Sequence, residues 1–238
     1  MNKTADNLFL TSPLLNQVPF ILHGFGTRHC GERELRSLEP WNNLEPVELR
    51  QCHSDRIHII SRKPNAPLEG DAMISSLPGL LLIIKTADCL PVLMVDPQRK
   101  IIAAAHCGWR GTAARLLAKV VLTLIDVFGS QPLDLKVAFG PCISPQCYEV
   151  GEDVRQVFGQ ARFSLNEDLF RPHPEKAGRF LLDLRLANRT QLLAAGVKPE
   201  NIEEIDICPH CQADFTSWRR DKNSAGRLLN FISLIPSL

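Results

Sequence analysis

Two imidazoles and a thiol are the groups in this sequence best suited to chemistry: His53, Cys89 and His106. Neutral imidazole and thiolate are borderline-soft donors that suit zinc, and three protein ligands leave a fourth position open, as in a catalytic metal site. They lie too far apart for a zinc finger but are well spaced for ligands carried on the ends of different strands. Two other readings fit the same residues. The histidines can be satisfied core residues beside an inert buried cysteine, or Cys89 and His106 can serve without metal as nucleophile and base of a cysteine hydrolase. Elsewhere, Cys208-Pro209-His210-Cys211 is a C-x-x-C able to form half of a zinc ribbon, but its partner candidate, Cys142 with Cys147, has a loose spacing for that role. His23 is placed to line the site from the first strand, and His58, alternating with isoleucines, reads as a strand-surface residue.

Cationic groups accompany this set. Arg110 precedes a helix predicted to start at Thr112, where free backbone N–H groups and the helix dipole favour an anion. Arg28, Arg219, Arg220 and Arg227 fall in loops at strand ends. Together these arginines point to an anionic substrate such as phosphate.

The elements that must position these groups centre on residues 79–112, where apolar runs at 80–84, 90–95 and 101–105 are short enough to be buried strands. Lys85, Asp88, Cys89, His106 and Arg110 lie between and after them, so the strands form a rigid base for a reactive site. Residues 1–17 read as an N-terminal arm and 18–25 as a strand. The Gly-x-Gly at its end lacks a following helical pattern, which argues against a dinucleotide fingerprint. The polar segment 30–50, with Pro40 and Pro46, reads as loop, and a strand follows His53 near Ile57, Ile59 and Ile60. The apolar stripe of 112–128, stopped by Gly129, predicts a helix capped by Thr112. Further on, 135–139 reads as strand, 150–158 as helix, 160–178 as irregular, 184–195 as a helix stopped by Gly196, and 202–207 and 228–234 as strands. No repeat or linker divides the chain, so residues 18–238 are expected to form a single domain.

Composition narrows the function. The chain has 238 residues, 45% of them hydrophobic, and a net charge of +1. Such a balance, with no long charged run, argues against nucleic-acid or membrane-surface binding as the main task. No apolar run reaches the roughly 18 residues of a membrane span, and the first ten residues lack a signal-peptide core. A soluble cytoplasmic protein is expected, with its eight cysteines reduced and one or more of them bound to metal. Seven histidines without a His-x-His pair are too few for the copper cluster of a multicopper oxidase.

The runs HGFGTRHCG, EGDAMI, PGLLLIIKTADCLPVLMVD, AAAHCGWRGT, GPCISPQCYEVGEDV and SWRRDKNSAGR closely resemble the YfiH family, also called the laccase-domain or multicopper polyphenol oxidase family. The likeness extends from about Val18 onward, and TADCLPV with AHCGWRGT is its most specific part. It implies an α+β fold, a four-layer α/β/β/α sandwich, and a mononuclear zinc on a His-Cys-His set, whose positions fall on His53, Cys89 and His106. It also implies phosphorolysis of adenosine, inosine, guanosine and methylthioadenosine, with deamination of adenosine, by a monomer acting on nucleosides and phosphate. The family's older name implies copper-dependent phenol oxidation, and copper can displace zinc at such a site. On this reading Asp88 is the acid near the purine and Arg110 the phosphate clamp, with Arg28, Gln51, Lys85, Arg219 and Arg227 binding substrate or phosphate. Departures from the family pattern are a shortened segment at 30–50, Cys52 and Ser54 flanking His53, and Cys30 and Cys107 in place of small residues.

Overall fold

The computed structural model describes residues 8–236. In chain order its strands are β1 (Phe9–Leu10), β2 (Ile21–Gly26), β3 (Glu45–Arg50), β4 (Ile57–Ile59), β5 (Leu68–Glu69), β6 (Ala72–Ser75), β7 (Leu80–Thr86), β8 (Leu90–Asp96), β9 (Ile101–Cys107), β10 (Lys136–Phe139), β11 (Glu149–Gly151), β12 (Phe170–Pro172), β13 (Arg179–Leu182), β14 (Ile202–Glu204) and β15 (Leu228–Leu234). The helices are α1 (Pro13–Asn16), α2 (Glu32–Arg36), α3 (Trp109–Ala113), α4 (Leu116–Phe128), α5 (Glu152–Gln160), α6 (Leu184–Ala194) and α7 (Trp218–Asp221). One sheet has the order β1-β2-β15-β7-β3-β5, a second β14-β10-β8-β9-β6-β4, and a small third β11-β13-β12.

The two large sheets pack face to face. Phe25, Val47, Leu82, Ile84 and Ile232 of the first meet Leu93, Val95, Ile102 and Ala104 of the second. The alternate residues of the same strands face outward, yet they are covered too. Leu117, Val120, Val121 and Leu124 of α4 and Leu192 of α6 lie over Val92, Met94, Ala103 and Ala105. On the far side, Leu35 of α2 and Trp41 lie over Leu81, Ile83, Leu229 and Phe231. The result is the expected four-layer α/β/β/α sandwich. Cover on both faces is why β7, β8 and β9 are continuously apolar instead of alternating. Each fully buried Leu, Ile or Val contributes about 1.5–3 kcal/mol.

Topology brings distant segments to one end of the sandwich. Residues 87–89 cross from β7 in the first sheet to β8 in the second, and residues 51–56 cross from β3 to β4. Because β3 and β7 are parallel, both crossings leave at the same end. The β8–β9 ladder sets Leu90 opposite Cys107 and Pro91 opposite His106, so β9 finishes beside residue 89. Antiparallel pairing of Leu228 with Thr86 delivers residues 218–227 there as well.

Several expectations are corrected. Segment 30–50 is not loop: it holds α2, a 3-10 turn at Trp41–Asn43 and β3, which lies between β7 and β5. Val47 and Leu49 are buried while Glu48 and Arg50 point outward, a period-two pattern that the prolines obscure. Beyond β7, β3 has a partner only at Leu49 and Arg50, so Pro46 sits on what is locally an edge. The helix predicted from Thr112 is two helices, α3 and α4, separated at Arg115, whose φ is +63°. Segment 160–178 contains β12. Residues 1–7 of the expected arm lie outside the described residues; its remainder supplies β1, which pairs with β2, and α1, which buries Leu15.

Candidate metal centre and its clefts

Backbone conformation prepares the site before any side chain is considered. His53 and Asp88, in the two crossing loops, have φ of +59° and +83°, left-handed values uncommon for residues with a side chain. Asp71 accounts for the first. Its Oδ2 accepts from the Ser54 N–H at 2.6 Å and the Ser54 hydroxyl at 2.7 Å, and its Oδ1 accepts from the His53 N–H at 3.1 Å. The same Oδ1 meets His106 Nδ1 at 2.8 Å. One carboxylate, fully buried, therefore fixes the loop that carries one histidine and the ring of the other.

The ligand atoms of His53, Cys89 and His106 all lie within 4.8 Å of one another. The two imidazole rings meet edge to face, with centroids 4.9 Å apart. The bond to Asp71 occupies His106 Nδ1 and leaves Nε2 for the cluster, the orientation in which carboxylates hold metal-bound histidines. Gly108 completes the cradle, since a Cβ there would stand 2.8 Å from the His53 ring and 3.2 Å from Cys89 Sγ. A nitrogen–sulfur–nitrogen donor set braced in this way fits a zinc-type cation.

Charge is balanced within the cluster. Burial alone would push the Cys89 thiol up, but the charge and hydrogen bond of His106, aided by His53, bring it down to about 6. Burial would likewise lower His106, yet Cys89 and Asp71 raise it to about 9. Asp71, despite its burial, is held well below the usual carboxylate range by His106 and Ser54. Both shifts favour the thiolate–imidazolium form of the metal-free cluster.

Two clefts share this cluster. His53, Cys89, Ala87 and Trp218 line both. The first cleft adds Asp88, Trp109, Arg110, Tyr148 and Arg219. The second adds Gln51, Lys85, His106 and Arg227. The first is thus walled by aromatic rings, with two guanidiniums: Arg110 stacks 4.4 Å over Trp109, and Arg219 lies 5.5 Å over Tyr148. Asp88 Oδ2 accepts from the Arg219 N–H at 2.6 Å, while its Oδ1 is buried with no protein partner.

Not every expected residue serves as anticipated. Arg28 lines neither cleft; its guanidinium donates to the Ala213 carbonyl at 2.9 Å. His23 is buried away from the site, its Nε2 accepting from the Ser12 N–H at 2.8 Å. Gln51 bonds both the N–H and the C=O of Lys85, each at 2.8 Å, so its amide braces the strand beside the cleft. The Lys85 ammonium is paired with Glu48 and Glu32. Arg110 lies inside the five-residue α3, not ahead of a long helix, and no helix dipole of substance reinforces it. Sequence reasoning left Asp71, Gly108, Trp109, Tyr148 and Trp218 without roles. Asp71 is the acidic residue that follows the glycine of EGDAMI, and its signal was that three apolar residues, Ala72, Met73 and Ile74, follow it directly in β6.

A sequence family described as multi-copper polyphenol oxidoreductase laccase matches the chain over residues 31–235. Adenosine deaminase RL5, from an unknown prokaryotic organism, is 39% identical over 188 residues, covering 75% of this chain and 71% of that protein. A purine nucleoside phosphorylase of Deinococcus radiodurans is 38% identical over 190 residues, covering 79% and 70%. Among solved structures, the hypothetical protein YfiH of Bacillus licheniformis superposes with a TM-score of 0.87 at 27% identity, over 98% of each chain.

Proposed function

The chain belongs to the multi-copper polyphenol oxidoreductase laccase family, and from that membership we propose that it is a zinc-dependent enzyme that cleaves purine nucleosides with phosphate and also deaminates adenosine. The observation that carries the proposal is the His53–Cys89–His106 donor set, two of whose members, His53 and Cys89, lie on the wall common to an aromatic cleft and a cationic one. Zinc held by these residues would supply Lewis acidity and make a bound water more acidic. The remaining work falls to side chains. Trp109, Tyr148 and Trp218 offer flat faces to a purine. Arg110 and Arg219 offer guanidinium donors to phosphate in the same cleft. In phosphorolysis a phosphate oxygen bonds to C1′ of the ribose, the N-glycosidic bond breaks, and its electron pair leaves with the base. Asp88 is the side chain of this cleft assigned to the departing base. Arg227 and Lys85 would reach the sugar or phosphate from the second cleft, with Gln51 positioning Lys85.

Support also comes from counting donors. Multicopper oxidation requires a histidine-rich cluster besides a thiolate-bound copper. Among the described residues the groups able to hold a metal are His53 with Cys89 and His106, and Cys147 with His210 and Cys211. That supply favours nucleoside chemistry. No helix among the described residues is long and apolar enough to cross a membrane. The proposed setting is a cytoplasmic monomer acting on small molecules.

The test is a panel of adenosine, inosine, guanosine and methylthioadenosine given to metal-analysed protein with and without phosphate. Free base and ribose 1-phosphate should appear only with phosphate, and inosine should form from adenosine without it. Oxygen uptake on phenols with the nucleosides untouched would overturn the proposal. Replacing Arg110 by Lys, which cannot reproduce the guanidinium fork, should slow phosphorolysis at least tenfold and leave deamination less affected.

A further inference from the structure

We propose that Cys147, His210 and Cys211, with Cys208 as fourth donor, form a second metal site, one that takes a thiophilic divalent cation of the zinc type and clasps the loop before α7 to the segment before β11. The ligand atoms of Cys147, His210 and Cys211 all lie within 4.8 Å of one another. Cys147 Sγ and Cys211 Sγ are 3.3 Å apart although 64 residues separate them in sequence. Donors on one tetrahedral zinc stand about 3.5–4 Å from each other, so closing on an ion requires only small side-chain shifts. Cys142, the other cysteine that sequence spacing offered, takes no part: it is buried and its thiol faces the Ile143 carbonyl.

Cys208, the proposed fourth donor, lies outside the group whose ligand atoms are mutually within 4.8 Å and would swing in to complete the set, from a turn that already brings it near. The N–H groups of Cys211 and Gln212 both donate to the Cys208 carbonyl at 3.1 Å, a tight turn that folds Cys208 and Cys211 toward each other. The Ser144 N–H donates to Cys208 Sγ at 3.3 Å, the kind of main-chain contact that orients a thiolate ligand. Three thiolates and an imidazole make a closed set, and closed sets are structural. The three-donor set His53–Cys89–His106, with its open position, differs from it in this respect.

Neighbouring bonds indicate what such a clasp would hold. The Arg220 guanidinium donates to the carbonyls of Pro209 at 2.6 Å and Phe215 at 2.7 Å, and it pairs with Asp221. It gathers the loop from within; the metal would fasten it from outside. Tyr148 follows Cys147 directly, and Trp218 and Arg219 follow the loop, so the clasp joins two walls of the aromatic cleft.

The full chain, produced with ample zinc and freed of loose metal by gel filtration, should carry about two ions. Cys147→Ser and Cys211→Ser should each carry about one, Cys89→Ala about one, and Cys89→Ala/Cys211→Ser none. Cobalt supplies a second reading on protein whose fold is verified by circular dichroism. Cys89→Ala loaded with cobalt(II) should display thiolate-to-cobalt absorption that His210→Ala weakens and Cys211→Ser abolishes. Equal metal content in the full chain and in Cys147→Ser and Cys211→Ser would overturn the proposal. So would a Cys147–Cys211 disulfide in freshly purified protein, seen as a mass two hydrogens lighter that reductant restores. Metal counting requires no nucleoside turnover, so it fails or succeeds apart from the proposed reaction.

Discussion

Both oxygens of Asp71 are engaged by groups of the cluster, and this makes a single carboxylate the support of two of its three donors. Asp71→Asn would set an amide N–H₂ against the donors of Ser54, His53 or His106, whichever way the amide turns. Supporting partners of this kind cost about 10–100-fold in metal affinity when changed, and a chelator competition should register that loss in the folded variant. A second prediction concerns metal-free protein. The Cys89 thiol, depressed to about 6, and His106, raised to about 9, titrate as a pair. Thiolate absorbance absent from Cys89→Ala should rise as pH passes upward through about 6. The stability gained from Cys89 is present above its ordinary pKa and lost as pH falls through about 6. That gained from His106 is present below its ordinary pKa and lost as pH rises through about 9. Wild-type apoprotein should therefore lose its advantage over Cys89→Ala at both extremes in thermal melts. A flat difference from acid to alkaline pH would contradict the pair.

At the scale of elements, the break between α3 and α4 rests on Gln191 of α6. Its amide donates to the Thr112 carbonyl at 3.1 Å and accepts from the Ala118 N–H at 3.3 Å, so one buried side chain serves the end of one helix and the start of the next. Gln191→Leu leaves the Ala118 N–H without its partner and the Thr112 carbonyl with the Arg115 N–H alone, a cost of about 1–3 kcal/mol, and the melting temperature should fall by several degrees. No change would mean that water reaches the break. This arrangement also explains what sequence reading could and could not see. The stripe from Leu116 to Phe128 was legible because an α-helix repeats its apolar face. Thr112 looked like a cap because its type and place were right, but its hydroxyl accepts from Asn188 of α6, a contact from 76 residues away. β3 was hidden by Pro40 before it and Pro46 within it, and β13 by being short and edged with polar residues. The cluster itself was legible as residue types; its support by Asp71 was not, since that depends on which loops meet at the sheet ends.

At the scale of the molecule, the two sheets bring His53, Cys89 and His106 together from three separate strand ends. The first sheet's outer face is sealed by an aromatic trio, with Phe231 centred 4.8 Å from Trp41 and 5.3 Å from Phe9. Phe231→Ala would remove its centre at a cost of about 3–5 kcal/mol, visible as an earlier denaturant midpoint with the metal content of the folded protein unchanged. Loss of metal from still-folded protein would mean that the outer layer and the site are coupled.

β15 lies between β2 and β7, paired along six residues with β7 and five with β2. During synthesis those two flanking strands emerge long before their common neighbour, so, until β15 follows, each has an edge with nothing to bond. The sheet closes only when residues past Leu234 have left the ribosome, and until then the nascent chain displays long apolar strands of the kind that chaperones bind. A message broken before Leu228 would yield two mismatched edges, a substrate for proteolysis and aggregation more than a smaller protein.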